Sequence, residues 1–428
     1  MGKIEYVSER SPIDPSAVED IDGYAIPGFQ NAHSHAFQFA MAGMAERHPP
    51  GSMDDFWSWR EAMYKCALAM SPDSQQAIAA MLYSEMLRKG YTHIAEFHYL
   101  HHDQSGKHFS NLAEMGERLL AAAQEAGIKI TLVPIFYQKG NFGKEPQPRQ
   151  RRFISHTVDE YFQLLDDSAH AVSRYQGARL GFGVHSLRAV HLEDIKTTFQ
   201  QGPPTLPFHL HAAEQLKEVE ECVGFTKRRP VEWLLQNLPL NERFHLVHCT
   251  HMNDAEVKGL ASSRAHAVLC PGTEGNLGDG IFNLTDYSKH GGNWSIGTDS
   301  HISLNPFEDL RWLDYAQRFT THKRNTFDDG AQVLYSKALY SGRMAMTNEV
   351  TKTFFDLGSP LDAVVFKSDS PLFARGTEYL LPSMIYTADS ASLLGTLVNA
   401  KWVVKNQVHL GIEGIKSRFM EAIRTLSF

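Results

Sequence analysis

Short apolar runs alternate along this chain with longer stretches of helical periodicity. Eight runs predict β-strands, at 25–31, 91–97, 129–136, 179–185, 207–212, 243–248, 265–270 and 293–298. Most intervals between them repeat apolar residues at three- and four-residue spacing. From Ala77 to Arg88 the apolar positions include Ile78, Met81, Leu82 and Leu87, with Gly90 just beyond; Met115 to Ala126 reads the same way and is closed by Gly127. The interval between the last two strands predicts mostly loop. Apolar strands separated by helices predict a parallel sheet covered on both faces. Eight such units predict an α/β fold, a (β/α)8 TIM barrel.

The texture changes after residue 348. Ala363-Val364-Val365-Phe366 and Trp402-Val403-Val404 are short β-like runs among turns, and the neighbourhood of Glu421 predicts a final helix. The expected organisation is a short segment at 1–24, a barrel at 25–348 and a small β-sandwich segment with a helix at 349–428. The first segment is too short for a domain and is expected to add a strand to the C-terminal β unit.

The 428 residues suit one large barrel with appendages, and 43% hydrophobic with 21% charged residues is ordinary for a globular protein. A net charge of -8 disfavours a nucleic-acid surface. Arg149-Gln150-Arg151-Arg152 is the exception and predicts a solvated loop after Pro146 and Pro148. The polar start lacks a secretory apolar stretch, and no run is long and apolar enough to cross a bilayer. Cys66, Cys222, Cys249 and Cys270 are scattered without a CxxC, which argues against disulfides and for a reducing cytoplasm.

Active sites of such barrels lie at the C-terminal ends of the strands. Five of the eight ends here carry ligand-capable residues: His33-Ser34-His35, His185, His211-Ala212-Ala213-Glu214, His248 and Thr298-Asp299. Two histidines at i and i+2 beyond a strand tip can aim both imidazoles at one point, as a divalent metal requires. Singly, each residue has an ordinary reading: a packed histidine, a capping aspartate, a first-turn glutamate suited to the helix dipole. Jointly, His33, His35, His211 and Asp299 form an N3O set for one Zn2+, with Fe2+ as the alternative. Glu214 can take a proton from an activated water and pass it to a leaving nitrogen. His248 would stand across the metal and stabilise developing charge, and Asp299 would also hydrogen-bond the attacking hydroxide. No lysine lies between Gln176 and Ile195 to bridge a second metal. One metal and a shuttling glutamate suit deamination.

The set Pro27-Gly28-Phe29 to His33-Ser34-His35, His211-Ala212-Ala213-Glu214, His248 and Ser295-Ile296-Gly297-Thr298-Asp299 resembles the amidohydrolase superfamily, in its mononuclear deaminase branch. Longer strings narrow the resemblance. They are Asn31-Ala32-His33-Ser34-His35-Ala36-Phe37-Gln38, Phe56-Trp57-Ser58-Trp59-Arg60-Glu61 and Ala95-Glu96-Phe97-His98-Tyr99-Leu100-His101-His102. Arg228-Arg229-Pro230-Val231-Glu232-Trp233 and Glu274-Gly275-Asn276-Leu277-Gly278-Asp279-Gly280 join them. Together they are similar to the formimidoylglutamate deiminase family. The resemblance implies a cytoplasmic, homodimeric hydrolase of linear amidines in histidine degradation, converting N-formimino-L-glutamate to N-formyl-L-glutamate and ammonia. It implies that Arg60, Tyr99, His185 and Arg188 hold the substrate, a small molecule with two carboxylates, and that Gln38, His248 and Glu214 sit near its formimino group. Arg60 is expected on the loop after strand 1. Guanidiniums suit carboxylates because they can bind them bidentately.

His98, His101 and His102 are expected to shape the loop carrying Tyr99, and Cys249 and Cys270 to act as small apolar fillers. The family usually has a longer N-terminal segment, so half of its β-sandwich is expected to be reduced here. Gly272 and Gly275 stand where relatives tend to carry Thr and Ala. Two alternatives accompany this reading: a nucleobase or nucleoside deaminase, and an inactive barrel kept as a scaffold, which would show gaps at the ligand positions.

Overall fold

The computed structural model of the chain describes residues 2–8, 18–44, 46, 56–349 and 353–426, with Phe56 and Trp57 as backbone only. Expectations that touch residues 1, 9–17 and 350–352, including part of the N-terminal segment and the domain boundary near 349, lie outside the described residues.

The first apolar run divides at Pro27-Gly28. β1 (Gly23–Pro27) belongs to a second sheet, and β2 (Phe29–Ser34) opens the barrel. Pro27 has no N–H to continue a ladder. A Cβ on Gly28 would stand 2.2 Å from Thr92 Cγ2, so glycine is required where the chain changes sheets. The single strand expected over 25–31 is therefore two strands. The barrel continues with β3 (Tyr91–His98) and β4 (Lys129–Phe136). The fourth unit also divides, into β5 (Arg179–Leu180) and β6 (Phe182–Ser186), both beside β4. Then follow β7 (Phe208–Ala212), β8 (Phe244–His248), β9 (His266–Leu269) and β10 (Asn293–Ile296).

The parallel order is β10-β9-β8-β7-β6-β4-β3-β2. The seam closes beyond β10 through a Ser34–Asp299 bridge, where the Asp299 N–H donates to His33 O at 3.0 Å. A Cβ on Gly297 would lie 2.7 Å from His33 Cβ, so glycine lets the eighth strand reach the first. β2, β3, β7 and β8 are buried along their whole length, as parallel strands covered on both faces must be.

The helices Pro72–Lys89 and Glu114–Ala126 end at Gly90 and Gly127, both left-handed. The interval expected as mostly loop holds two helices, Pro271–Leu277 and Leu284–Lys289. Glycines 272 and 275 weaken helical propensity there; burial of Thr273, Glu274, Leu284 and Tyr287 compensates. The run Arg149–Arg152 is not simply solvated. Arg152 is fully buried and donates to the carbonyls of Ala67, Met70 and His102. Two of these close the helix Phe56–Ala69, whose last carbonyls lack intrahelical donors.

The barrel base is filled by the C-terminal end of the helix Gly330–Thr347. Ala345 and Met346 pack among Val133, Ile135, Val247 and Val268. His209 Nε2 donates to Ala345 O at 3.1 Å. The rings of His209, His245 and His266 stack there with centroids 4.9 Å apart.

The second sheet adds β11 (Ala363–Lys367), β12 (Leu393–Val398), β13 (Lys401–Lys405) and β14 (Val408–His409) to β1, in the antiparallel order β1-β11-β12-β13-β14. The strand from the N-terminal side pairs Gly23 with Lys367 and Pro27 with Ala363. Among the described residues this unit is a single antiparallel sheet, built from strands on both sides of the barrel in sequence. Its inner face needs no partner sheet because Val364 and Phe366 join the barrel's outer core and Thr396 Oγ1 donates to Leu87 O of a barrel helix at 2.7 Å. The final helix is Ile412–Thr425. No helix among the described residues is long and apolar enough to cross a membrane.

Candidate active site

Four groups converge at the C-terminal mouth of the barrel. His33 lies in β2, His35 just past it, His211 in β7 and Asp299 just past β10. His33 Nε2 is 3.0 Å from His35 Nε2 and 3.1 Å from His211 Nε2; Asp299 Oδ1 is 3.5 Å from His33 Nε2 and 3.2 Å from His35 Nε2. Donors about 2 Å from one tetrahedral ion stand roughly 3.3 Å apart. Nδ1 of His35 donates to Phe97 O and Nδ1 of His211 to His185 O, each at 3.0 Å. A carbonyl only accepts, so in the neutral ring Nε2 is the nitrogen left to bind a metal. Burial and neighbouring imidazoles push His33 down to about 3 and His211 well below the usual range. Burial opposes charge on Asp299, yet His33 and His35 hold it well below the ordinary carboxylate range. A buried N3O set of three imidazoles and one carboxylate fits a single divalent ion.

Glu214 and His248 stand beside this cluster. His248 Nε2 is 3.7 Å from Glu214 Oε1 and 3.7 Å from Asp299 Oδ2. Burial raises Glu214 above its usual pKa, against the pull of His248. Burial disfavours charge on His248, but Glu214, Glu274 and Asp299 outweigh it and push the imidazole up to about 10. The backbone bends to deliver these groups. Ala213, His248, Cys249, Asp299 and His301 all have positive φ, between 47° and 70°. Non-glycine residues seldom adopt this region and concentrate at functional sites when they do.

The remaining expected residues line the cavity in front of the cluster: Gln38, Arg60, Tyr99, His185 and Arg188. Arg60 belongs to the helix Phe56–Ala69 rather than to a loop, because Met63, Tyr64 and Ala67 give that segment a buried helical face. Its guanidinium lies 5.2 Å from the Tyr64 ring and 3.5 Å from the Tyr137 hydroxyl. Arg188 is buried, and among the described residues no carboxylate pairs with it. Gln38 Nε2 donates to the Tyr99 hydroxyl at 3.1 Å, while its Oε1 is buried without a partner. The cavity lining thus combines two guanidiniums and three phenols with the carboxylates of Glu214 and Asp299. His101 and His102 donate to the carbonyls of Ile135 and Ile154. Cys249 and Cys270 are buried free thiols.

The amidohydrolase family matches residues 24–403 of the chain. This chain belongs to that family. A formimidoylglutamate deiminase of Pseudomonas aeruginosa is 40% identical over 424 residues, covering 97% of this chain and 92% of that protein. The crystal structure of an amidohydrolase from Brucella melitensis superposes with a TM-score of 0.93 at 37% identity, over 99% of this chain and 94% of that one. A zinc-bound adenosine deaminase from Xanthomonas campestris shares the fold, with a TM-score of 0.74, 20% identity and coverage of 94% and 87%.

Several residues that hold the amidohydrolase cluster in place carry no motif of their own. Glu96 accepts from Ser34 Oγ at 2.7 Å and the Ala36 N–H at 2.6 Å, clamping the turn between His33 and His35; burial pushes it up to about 7. Glu218 accepts from the N–H groups of Ala213 and Glu214 at 3.2 and 3.0 Å. His301 Nε2 donates to His35 O, and Asn31 binds both Thr298 Oγ1 and the Thr298 N–H across the seam. Glu274, in a string quoted above without a role, accepts from His248 Nδ1 at 3.3 Å. The one sequence signal for Glu218 was its place four residues beyond Glu214. Tyr64 and Tyr137 line the cavity and were also missed.

Proposed function

We propose that this chain is a zinc-dependent formimidoylglutamate deiminase, hydrolysing N-formimino-L-glutamate to N-formyl-L-glutamate and ammonia. The observation that carries the reading is a pocket lined by Arg60 and Arg188 together with His35, His211 and Asp299, in a chain 40% identical to a formimidoylglutamate deiminase along 97% of its length. The lining matches both parts of the substrate: guanidiniums for its two carboxylates, and carboxylates for its cationic amidine.

His33, His35, His211 and Asp299 would hold the zinc, which would supply Lewis acidity for the activation of water. The formimino carbon is electrophilic because its amidinium is cationic. Glu214 takes the proton from the attacking water and delivers it to the departing nitrogen, for which a carboxyl raised by burial is suited. His248 stabilises the charge that develops on the attacking oxygen as the carbon becomes tetrahedral, and Asp299 hydrogen-bonds that oxygen. Arg188 and Arg60 bind the carboxylates, with Tyr99 and His185 completing that subsite. Gln38 is fixed by Tyr99, which leaves Oε1 to accept from the formimino nitrogen. The same reading takes the enzyme to be a cytoplasmic homodimer.

The test is incubation of zinc-replete protein with N-formimino-L-glutamate, guanine and adenosine. Ammonia and N-formyl-L-glutamate from the first alone are expected. Turnover of a purine instead would replace the reading by a nucleobase deaminase. Protein that binds no metal and turns over none of the three would be an inactive barrel.

A further inference from the structure

His248 ends β8 in a left-handed turn with φ of 70°, followed by Cys249 at 55°. Its ring is completely buried. On the cluster side, Nε2 has no hydrogen-bond partner among the described residues and stands 3.7 Å from oxygens of both Glu214 and Asp299. On the far side, Nδ1 lies 3.3 Å from Glu274 Oε1. That same oxygen accepts the Cys270 N–H at 2.9 Å, which ties the carboxylate to the end of β9. The Glu274 carboxylate itself is buried, 4% exposed.

We propose that Glu274 is a positioning residue for the deimination, acting through His248; this rests on the functional reading above. A carboxylate accepts and does not donate, so the hydrogen of this pair lies on Nδ1. Nε2 is then the nitrogen turned to the reacting centre. A flip of the ring would break the bond to Glu274 and present a carbon edge to Glu214 and Asp299. Glu274 is the one hydrogen-bond partner of the His248 ring among the described residues. Glu274 thus does for His248 what Phe97 O does for His35 and His185 O does for His211.

The test compares kcat and KM for N-formimino-L-glutamate in zinc-replete Glu274→Leu and Glu274→Gln, each also in a His248→Ala background. Leucine removes the acceptor; glutamine keeps one oxygen for both donors. Glu274→Leu is expected to lower kcat by about 10- to 100-fold, with KM changed by less than about twofold. Glu274→Gln should return most of that loss. With His248 already replaced, Glu274→Leu should change kcat by less than about twofold, since coupled residues are not additive. An equal loss in both backgrounds, no loss, or glutamine as poor as leucine would overturn the proposal. If Glu274→Leu does not fold, Glu274→Met takes its place with the same expected outcomes. A nitrogen-15 imidazole spectrum of His248, assigned by difference with His248→Ala, is independent of turnover. A hydrogen-bonded Nδ1–H should be present in the wild type and in Glu274→Gln and lost in Glu274→Leu. If the spectrum behaves so while the wild type has no turnover, the functional reading fails and the positioning contact stands.

Discussion

At the scale of the residue, two side chains carry most of the chemistry proposed here. Glu214 is buried, raised above its usual pKa and 3.7 Å from His248, so it can both accept and return a proton. Glu214→Gln keeps the volume and removes the proton shuttle. It should retain bound zinc and substrate affinity while kcat falls by about 10²- to 10⁴-fold; turnover close to normal would remove that role. Arg188 is a buried guanidinium without a carboxylate of its own among the described residues. Such a group is costly to bury unless a ligand completes it. Arg188→Met should therefore weaken substrate by the ~1.5–3 kcal/mol of a charged hydrogen bond, which is about 10- to 150-fold in kcat/KM. Unchanged kinetics would sink the carboxylate clamp.

At the scale of the element, the barrel was legible because its strands are apolar and its helices periodic. The ligands were legible because each stands at a strand end. His33 and His35 announce themselves by their spacing, and Glu214 by its distance from His211. What escaped was set by contacts distant in sequence. The split at Pro27-Gly28 depends on Thr92, and the burial of Arg152 depends on carbonyls at Ala67 and Met70. Glu96, Glu218 and Glu274 act on backbone turns that only the folded chain brings beside them. The layer of imidazoles at the barrel base was unforeseen for the same reason. Burial there pushes His209 down to about 4 and His266 to about 3, so both are neutral in the fold. In the unfolded chain they titrate near 6.5. As pH falls below that value the unfolded state binds more protons, and stability is lost progressively toward pH 4. Tm should drop between pH 7 and pH 5, and less steeply in His266→Asn; parallel slopes for the two proteins would contradict this origin.

At the scale of the molecule, the four cluster residues join distant parts of one closed sheet. His33 and His35 come from the first barrel strand, His211 from the fifth and Asp299 from beyond the eighth. The seam itself passes between His33 and Asp299. One ion bound by all four would fasten the barrel across its seam and favour the folded state by linkage. Melting should shift upward with added zinc and return on chelation. A Tm indifferent to zinc would mean that the cluster does not hold it.

The central claim concerns which bond breaks. The formimino carbon bears two nitrogens, and Glu214 must protonate the terminal one for ammonia to leave. Turnover of N-formimino-L-glutamate in oxygen-18 water, followed by mass spectrometry, decides this directly. The account predicts N-formyl-L-glutamate carrying one labelled oxygen on its formyl group, with one ammonia per turnover. Glutamate and labelled formamide, or no product at all, would contradict it.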